Sequence, residues 1–121
     1  MKLEDAIAAH AEWKLRLRKY VDGTSTETLV AAVVCRDDQC ALGKWMYGDG
    51  GRLATVAEFV DARAAHADFH RHASDVVRAI DAGDRARAAS MLGAGAAFEK
   101  ASMNVASSLV RLRRALQARA A

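Results

Sequence analysis

The sequence predicts an all-α fold: an antiparallel four-helix bundle with a broken short-helix segment. Three observations point there. Proline is absent from the 121 residues while alanine is plentiful, a composition that favours long helices over a turn-rich sandwich. Apolar groups recur at steps of three and four along three long stretches. The loops between those stretches are short, which makes successive helices antiparallel neighbours. No repeat, linker or low-complexity tract divides the chain, so residues 1–121 are expected to share one core.

The first helix is expected over residues 2–21, where Leu3, Ile7, His10, Trp13, Leu17 and Tyr20 fall on one face. That spacing turns His10 toward the core. "DGT" at residues 22–24 stops the helix. Thr24 followed three residues later by Glu27 reads as a capping box that starts a short second helix running through Val34. After "RDDQ", Asp37 or Asp38 is expected to cap a further short helix over residues 39–46, closed by Gly48 in a left-handed conformation.

Cys40 then falls in the first turn of that helix, where unpaired N–H groups and the positive dipole end favour a thiolate. A long helix is expected from about Arg52 to Asp81, with Phe59, Ala62, His66, Phe69, Ala73, Val76 and Ile80 as its stripe and His70 beside it. Gly83 stops it and Asp84 starts the last helix. That helix carries Gly95, Phe98, Ser102, Val105, Leu109, Leu112 and Leu116 on one seam, and the "GAGAA" cluster within it is read as a place of close helix approach.

Charge excludes some partners. The net charge is +3, and Arg111, Arg113, Arg114 and Arg119 gather near the C-terminus, where they solvate an outer face and complement the helix dipole. A nucleic-acid surface needs a broader basic stripe with interleaved aromatics, so no nucleic-acid partner is expected. The chain lacks a run long and apolar enough to span a bilayer and shows no secretion signal, so a soluble cytoplasmic chain without membrane contact of its own is expected.

Three histidines and a cysteine carry the chemistry. His66 and His70 form H-x-x-x-H, which sets two imidazoles one turn apart on one helix face. His10 adds a third imidazole from the first helix and Cys40 a thiol. In a core near Trp13, Trp45 and Phe69, three unpaired imidazoles are costly to bury unless a metal satisfies them. Three nitrogens and one sulfur suit tetrahedral Zn²⁺. A di-iron carboxylate site is disfavoured, because the residues three before His10, His66, His70 and His72 are Ile7, Arg63, Ala67 and Phe69. His72 is expected on the surface. Cys35 is read as a buried, inert thiol, with a resolving role in redox chemistry as the alternative.

"HAEW", "DDQCALGKWMYGDGG" and "HADFH" together resemble the chemoreceptor zinc-binding (CZB) domain family over nearly the whole chain. The resemblance implies a cytoplasmic, usually homodimeric helical bundle attached to bacterial chemoreceptors or diguanylate cyclases. It implies zinc held by His10, Cys40, His66 and His70, with sensing of zinc or of oxidants such as hypochlorous acid through the zinc-bound Cys40. Neither a methyl-accepting coiled coil nor a cyclase domain accompanies these motifs, so a stand-alone member or an excised sensory domain is expected.

A four-donor site leaves no position for a substrate water, so no catalytic residue is assigned and a non-enzymatic regulator is expected. Trp45 and Tyr47 follow Cys40 by one and two turns, as core packing or as a relay of motion from it. The rival reading is a structural zinc staple in a dimerisation or scaffold bundle with no sensing role. A hydrolase or thiol oxidoreductase is disfavoured by the lack of a carboxylate at ligand spacing and of C-x-x-C.

Overall fold

The first arm runs through two helices that are almost one. In the computed structural model, which describes residues 2–120, α1 (Leu3–Ala11) and α2 (Trp13–Asp22) are separated only by Glu12. Glu12 keeps helical dihedrals, and its N–H bonds to the Ala9 carbonyl oxygen at 3.4 Å, a local tightening to i→i+3. Gly23 ends the arm at φ 78°, with its N–H on Tyr20 and that of Thr24 on Lys19. This is the left-handed stop that glycine allows.

The second arm is the broken one, and its details correct the sequence reading. Thr24 does not cap a helix, because its hydroxyl donates to the Lys19 carbonyl and Glu27 is drawn off to Arg16. Residues 24–30 are therefore irregular, and helix is confined to α3 (Ala31–Val34). The next helix, α4 (Ala41–Tyr47), is capped by neither aspartate. Cys40 itself is the N-cap, its Sγ accepting from the Gly43 N–H at 3.4 Å. Gly48 closes α4 at φ −102°, so its left-handed role is also corrected; a 3-10 turn (Asp49–Leu53) follows.

The third arm is α5 (Ala57–Asp81), which begins five residues later than expected because the 3-10 turn takes Arg52. Its buried face carries Phe59, Ala62, His66, Phe69, His70, Ala73 and Val76. His70 is thus fully inside the stripe it was expected to flank. Gly83 (φ 81°) stops α5, and Asp84 caps α6 (Arg85–Met91) by accepting from the Arg87 N–H at 3.0 Å.

The last arm is α7 (Ala97–Ala120). The "GAGAA" cluster lies between α6 and α7 as a break, with Gly95 at φ 77° and open space around the position a side chain would take. It breaks the helix, and no neighbour among the described residues of this chain comes close to Gly95.

Among the described residues every element is helical. The helices α5 and α7 form the longest packed pair, with α1 on α4 and α3 on α5 closing the bundle around them. Phe69 and Phe98 join α5 to α7 with ring centroids 5.2 Å apart. Phe59, Phe69 and Phe98 are all fully buried, each stabilising the fold by roughly 1.5–3 kcal/mol through burial. Arg111, Arg114 and Arg119 are exposed and Arg113 half-buried, as a solvated outer face requires.

Candidate metal centre

Three elements deliver four ligating side chains to one point. His10 comes from the last turn of α1, His66 and His70 from successive turns of α5, and Cys40 from the N-cap of α4. Their ligating atoms all lie within 4.8 Å of one another. Cys40 Sγ stands 3.2 Å from His66 Nε2 and 3.4 Å from His70 Nε2, and the two Nε2 atoms are 3.0 Å apart. Around a tetrahedral zinc, bonds of about 2.0–2.1 Å to nitrogen and about 2.3 Å to sulfur set donor atoms roughly 3.3–3.6 Å apart. The three spacings among Cys40, His66 and His70 agree to within a few tenths of an ångström, and His10 completes the group within the 4.8 Å span.

Burial makes the arrangement expensive without an ion. His10, His66 and His70 are 6%, 0% and 1% exposed, and His10 Nε2 and His66 Nδ1 are buried with no hydrogen-bond partner. Each orphaned polar atom costs on the order of 1–3 kcal/mol, and an ion in the cluster would relieve that of His10 Nε2 but not that of His66 Nδ1, since His66 faces the cluster through Nε2. Burial, helped by neighbouring imidazoles, holds His10 down at about 3 and His66 at about 2. It lowers His70 as well, against the opposing effect of the Val34 carbonyl. The nitrogens are therefore neutral lone-pair donors at physiological pH, the form a metal binds.

The thiol behaves differently from the sequence expectation. The N–H groups of Gly43, Leu42 and Cys40 do favour the thiolate, but burial outweighs them and raises Cys40 above the ordinary thiol value. Dipole priming alone does not ionise this sulfur; a coordinated dication does so directly.

Neighbouring groups orient the donors. His70 Nδ1 donates to the Val34 carbonyl oxygen at 2.9 Å, which leaves Nε2 bare and aimed at the cluster. That carbonyl is free because α3 ends there. Trp13 lays its ring edge-to-face on His70 at 5.4 Å, and Phe69 packs on His10 at 4.5 Å. Trp45 is buried against Phe59, whereas Tyr47 is exposed and donates its hydroxyl to Asp37 at 2.8 Å. Tyr47 is thus a tether to the loop before α4, and its expected place in the packing around the site is corrected.

His72 and Cys35 stay outside. His72 is half-buried beside Asp68 at 3.5 Å. Cys35 is half-buried where full burial was expected, because α3 is too short to bury its C-cap; its S–H donates to the Ala32 carbonyl. The Val34 carbonyl and Gly43 were not marked by the sequence reading, since one is backbone and the other has no functional group. No other cluster of three or more ligating side chains occurs among the described residues. No helix in them is long and apolar enough to cross a membrane.

Comparison with known proteins agrees with the donor set. The family profile described as "Chemoreceptor zinc-binding domain" matches residues 10–77, more than half of the chain. The matched span begins at His10 and contains all four clustered side chains, and the three-histidine, one-cysteine donor set fits Zn²⁺. No curated protein and no solved structure matches the chain.

Proposed function

The chain belongs to the chemoreceptor zinc-binding domain family, and we propose that His10, Cys40, His66 and His70 hold one Zn²⁺ in a closed site that serves as a sensor of zinc or of oxidants. The observation that carries this reading is the convergence of four ligating atoms from α1, α4 and α5 within 4.8 Å. When bound, the dication holds Cys40 as its thiolate, the form that electrophilic oxidants attack.

The residues divide the work. His66 and His70 share one long helix and keep a fixed spacing. His10 ties α1 to that helix. Cys40 is the one donor that stands at the start of a short helix, and it is half-exposed where the histidines are buried. Oxidation of its sulfur to a sulfenic acid removes the anionic donor and loosens α4 from α1 and α5. With four protein donors the site has no open position for a substrate, so the role is regulatory and not catalytic. On this reading the module works in the cytoplasm as a homodimer and relays its state, in cis or in trans, to chemoreceptor signalling or to a diguanylate cyclase.

The complete burial of His66 and His70 also suits a purely structural zinc. The half-exposed Cys40 favours the sensor. A zinc titration followed by helicity, repeated after hypochlorous acid, separates the two. A sensor takes up one zinc per chain, releases it on oxidation and stays helical, whereas a staple keeps its zinc until the fold melts. Purified protein lacking zinc, or binding it equally well without Cys40, overturns the assignment.

A further inference from the structure

A cleft of about 290 Å³ opens beside the four donors, and Cys40 and His70 line it. Val33, Val34 and Leu29 give it an apolar wall. Arg16 and Glu27 line it as well, and they face each other in a two-pronged ion pair: Arg16 Nε to Glu27 Oε2 at 3.0 Å and Arg16 Nη2 to Oε1 at 2.8 Å. The guanidinium is set in place by Trp13, whose ring lies 3.9 Å beneath it and whose edge meets His70.

The segment bearing Glu27 is anchored mainly at its ends. Residues 24–30 form no helix: Thr24 is bonded to Lys19, Leu29 is buried in the core with its carbonyl near the Tyr20 hydroxyl, and the Val30 carbonyl accepts from Val33 and Val34, so between those ends Glu27 is held by the Arg16 pair and the local Ser25–Glu27 turn. The Arg16–Glu27 pair therefore joins α2 to the irregular segment across the cleft. Both of its members are about two-fifths exposed, so solvent screens the pair, while its two-pronged geometry gives it a defined orientation across the cleft. The charges along the cleft are also matched, since Arg36, the other arginine lining it, is paired with Asp38 at 3.0 Å. An apolar wall with compensated charge favours small neutral molecules over ions.

We propose that this cleft is the route by which small uncharged electrophiles reach the Cys40 sulfur, and that the Arg16–Glu27 pair is a gate limiting the size of what passes. The proposal rests on the reading of Cys40 as a reactive zinc ligand. With hydrogen peroxide the sulfur takes one oxygen as S–OH, the O–O bond breaks, and the other oxygen leaves as hydroxide and is protonated by solvent. The sulfur is oxidised by two electrons and the peroxide reduced. With the probe iodoacetamide an S–C bond forms, the C–I bond breaks, and iodide leaves with the electron pair.

The test uses zinc-loaded protein and follows modification of Cys40 and Cys35 separately by mass spectrometry. The probes are iodoacetamide, its anionic counterpart iodoacetate, and the bulkier neutral N-phenylmaleimide. Cys35 does not line the cleft and serves as the internal reference. At Cys40 relative to Cys35, iodoacetamide is expected to outpace iodoacetate at least threefold. Glu27→Gln should raise the maleimide rate at Cys40 about two- to fivefold, the range a partly exposed ion pair allows, with a smaller rise for iodoacetamide.

Val33→Trp fills the cleft from a half-exposed position and should slow Cys40 at least threefold. A loosened fold gives the opposite result, faster modification. Zinc content is read in the same samples. Wild type without zinc overturns the metal assignment. With zinc fully bound, equal Cys40 rates in wild type and Val33→Trp, or a Glu27→Gln rise shared by Cys35, overturn the cleft and its gate alone.

Discussion

His70 Nδ1 donates to the Val34 carbonyl oxygen at 2.9 Å, so a metal-ligating histidine on α5 takes its tautomer from the last residue of the four-residue helix α3. A single backbone oxygen thereby links the conformation of the broken arm to the direction of the His70 Nε2 lone pair. Val34→Pro removes the Val34 N–H bond to the Val30 carbonyl and forces the preceding residue out of the helical region. Zinc affinity is expected to fall about 10–100-fold, the usual cost of losing such a partner. Because α3 is so short, total helicity should change little. Competition against a chelator of known affinity measures the first and circular dichroism the second; affinity within threefold of wild type removes this role from Val34.

The four donors were legible in the sequence because their chemistry is carried by side chains at helical spacing. His10 and Trp13 share a face across the Glu12 tightening, and H-x-x-x-H needs only an α-helix to bring its nitrogens together. The broken arm was not legible in the same way. Thr24 and Glu27 have the spacing of a capping box, but Arg16, eleven residues earlier, takes Glu27 into an ion pair, and no local pattern reveals a partner brought in by the tertiary fold. The sequence reading puts Cys40 two positions too far into its helix, since a cysteine is not an expected N-cap. The ionisation of its thiol was misjudged because the dipole argument is local while burial is not. The glycines of "GAGAA" read in the sequence as a close approach within one helix, and only the backbone of Gly95, at φ 77°, shows the helix breaking there.

The two cysteines should separate cleanly. Cys40→Ala removes the only sulfur in the cluster and is expected to lower zinc affinity by at least 100-fold and to abolish zinc release by oxidant. Cys35→Ala, which loses one S–H contact to the Ala32 carbonyl, should leave affinity within threefold of wild type and the release intact. Release monitored with a chromogenic zinc indicator checks both. A Cys40 variant that still releases zinc on oxidation shows that the redox response resides elsewhere.

Gly43 is a position where any side chain should disturb the site. A Cβ there collides with the Asp37 carbonyl oxygen and stands 2.7 Å from its carbon, while the Gly43 N–H is bonded to the Cys40 sulfur. Gly43→Ala must therefore push the loop before α4 away from the helix start or rotate that N–H off the sulfur. It is expected to cost about 1–3 kcal/mol of stability, the range for overpacking, and roughly tenfold in zinc affinity. Gly51→Ala is the contrasting case, because a Cβ there makes only ordinary contact at 3.8 Å; its affinity should match wild type. Chemical denaturation and zinc competition on the pair decide the matter, and equal behaviour of the two variants overturns the steric argument.

Acid should unfold the metal-free protein through its buried imidazoles. An unfolded histidine takes a proton near pH 6.5, whereas burial holds His10 at about 3 and His66 at about 2 in the folded chain and lowers His70 as well. Below pH 6.5 the unfolded chain thus binds protons that the folded chain refuses, and stability falls as pH falls. The stabilisation is complete above pH 6.5 and is lost at roughly 1.4 kcal/mol per pH unit for each histidine until the folded values are reached.

Urea midpoints of chelator-treated protein should accordingly be level between pH 7 and 8.5 and drop steeply from pH 6.5 toward 4.5. His66→Leu, which removes one of the suppressed sites, should make the slope shallower by about one histidine's share. Zinc competes with protons for the same nitrogens, so zinc-loaded protein should hold its midpoint to lower pH than the metal-free form and give up its ion within that window. A midpoint that does not change between pH 7 and 5 means the imidazoles are not held neutral by the fold.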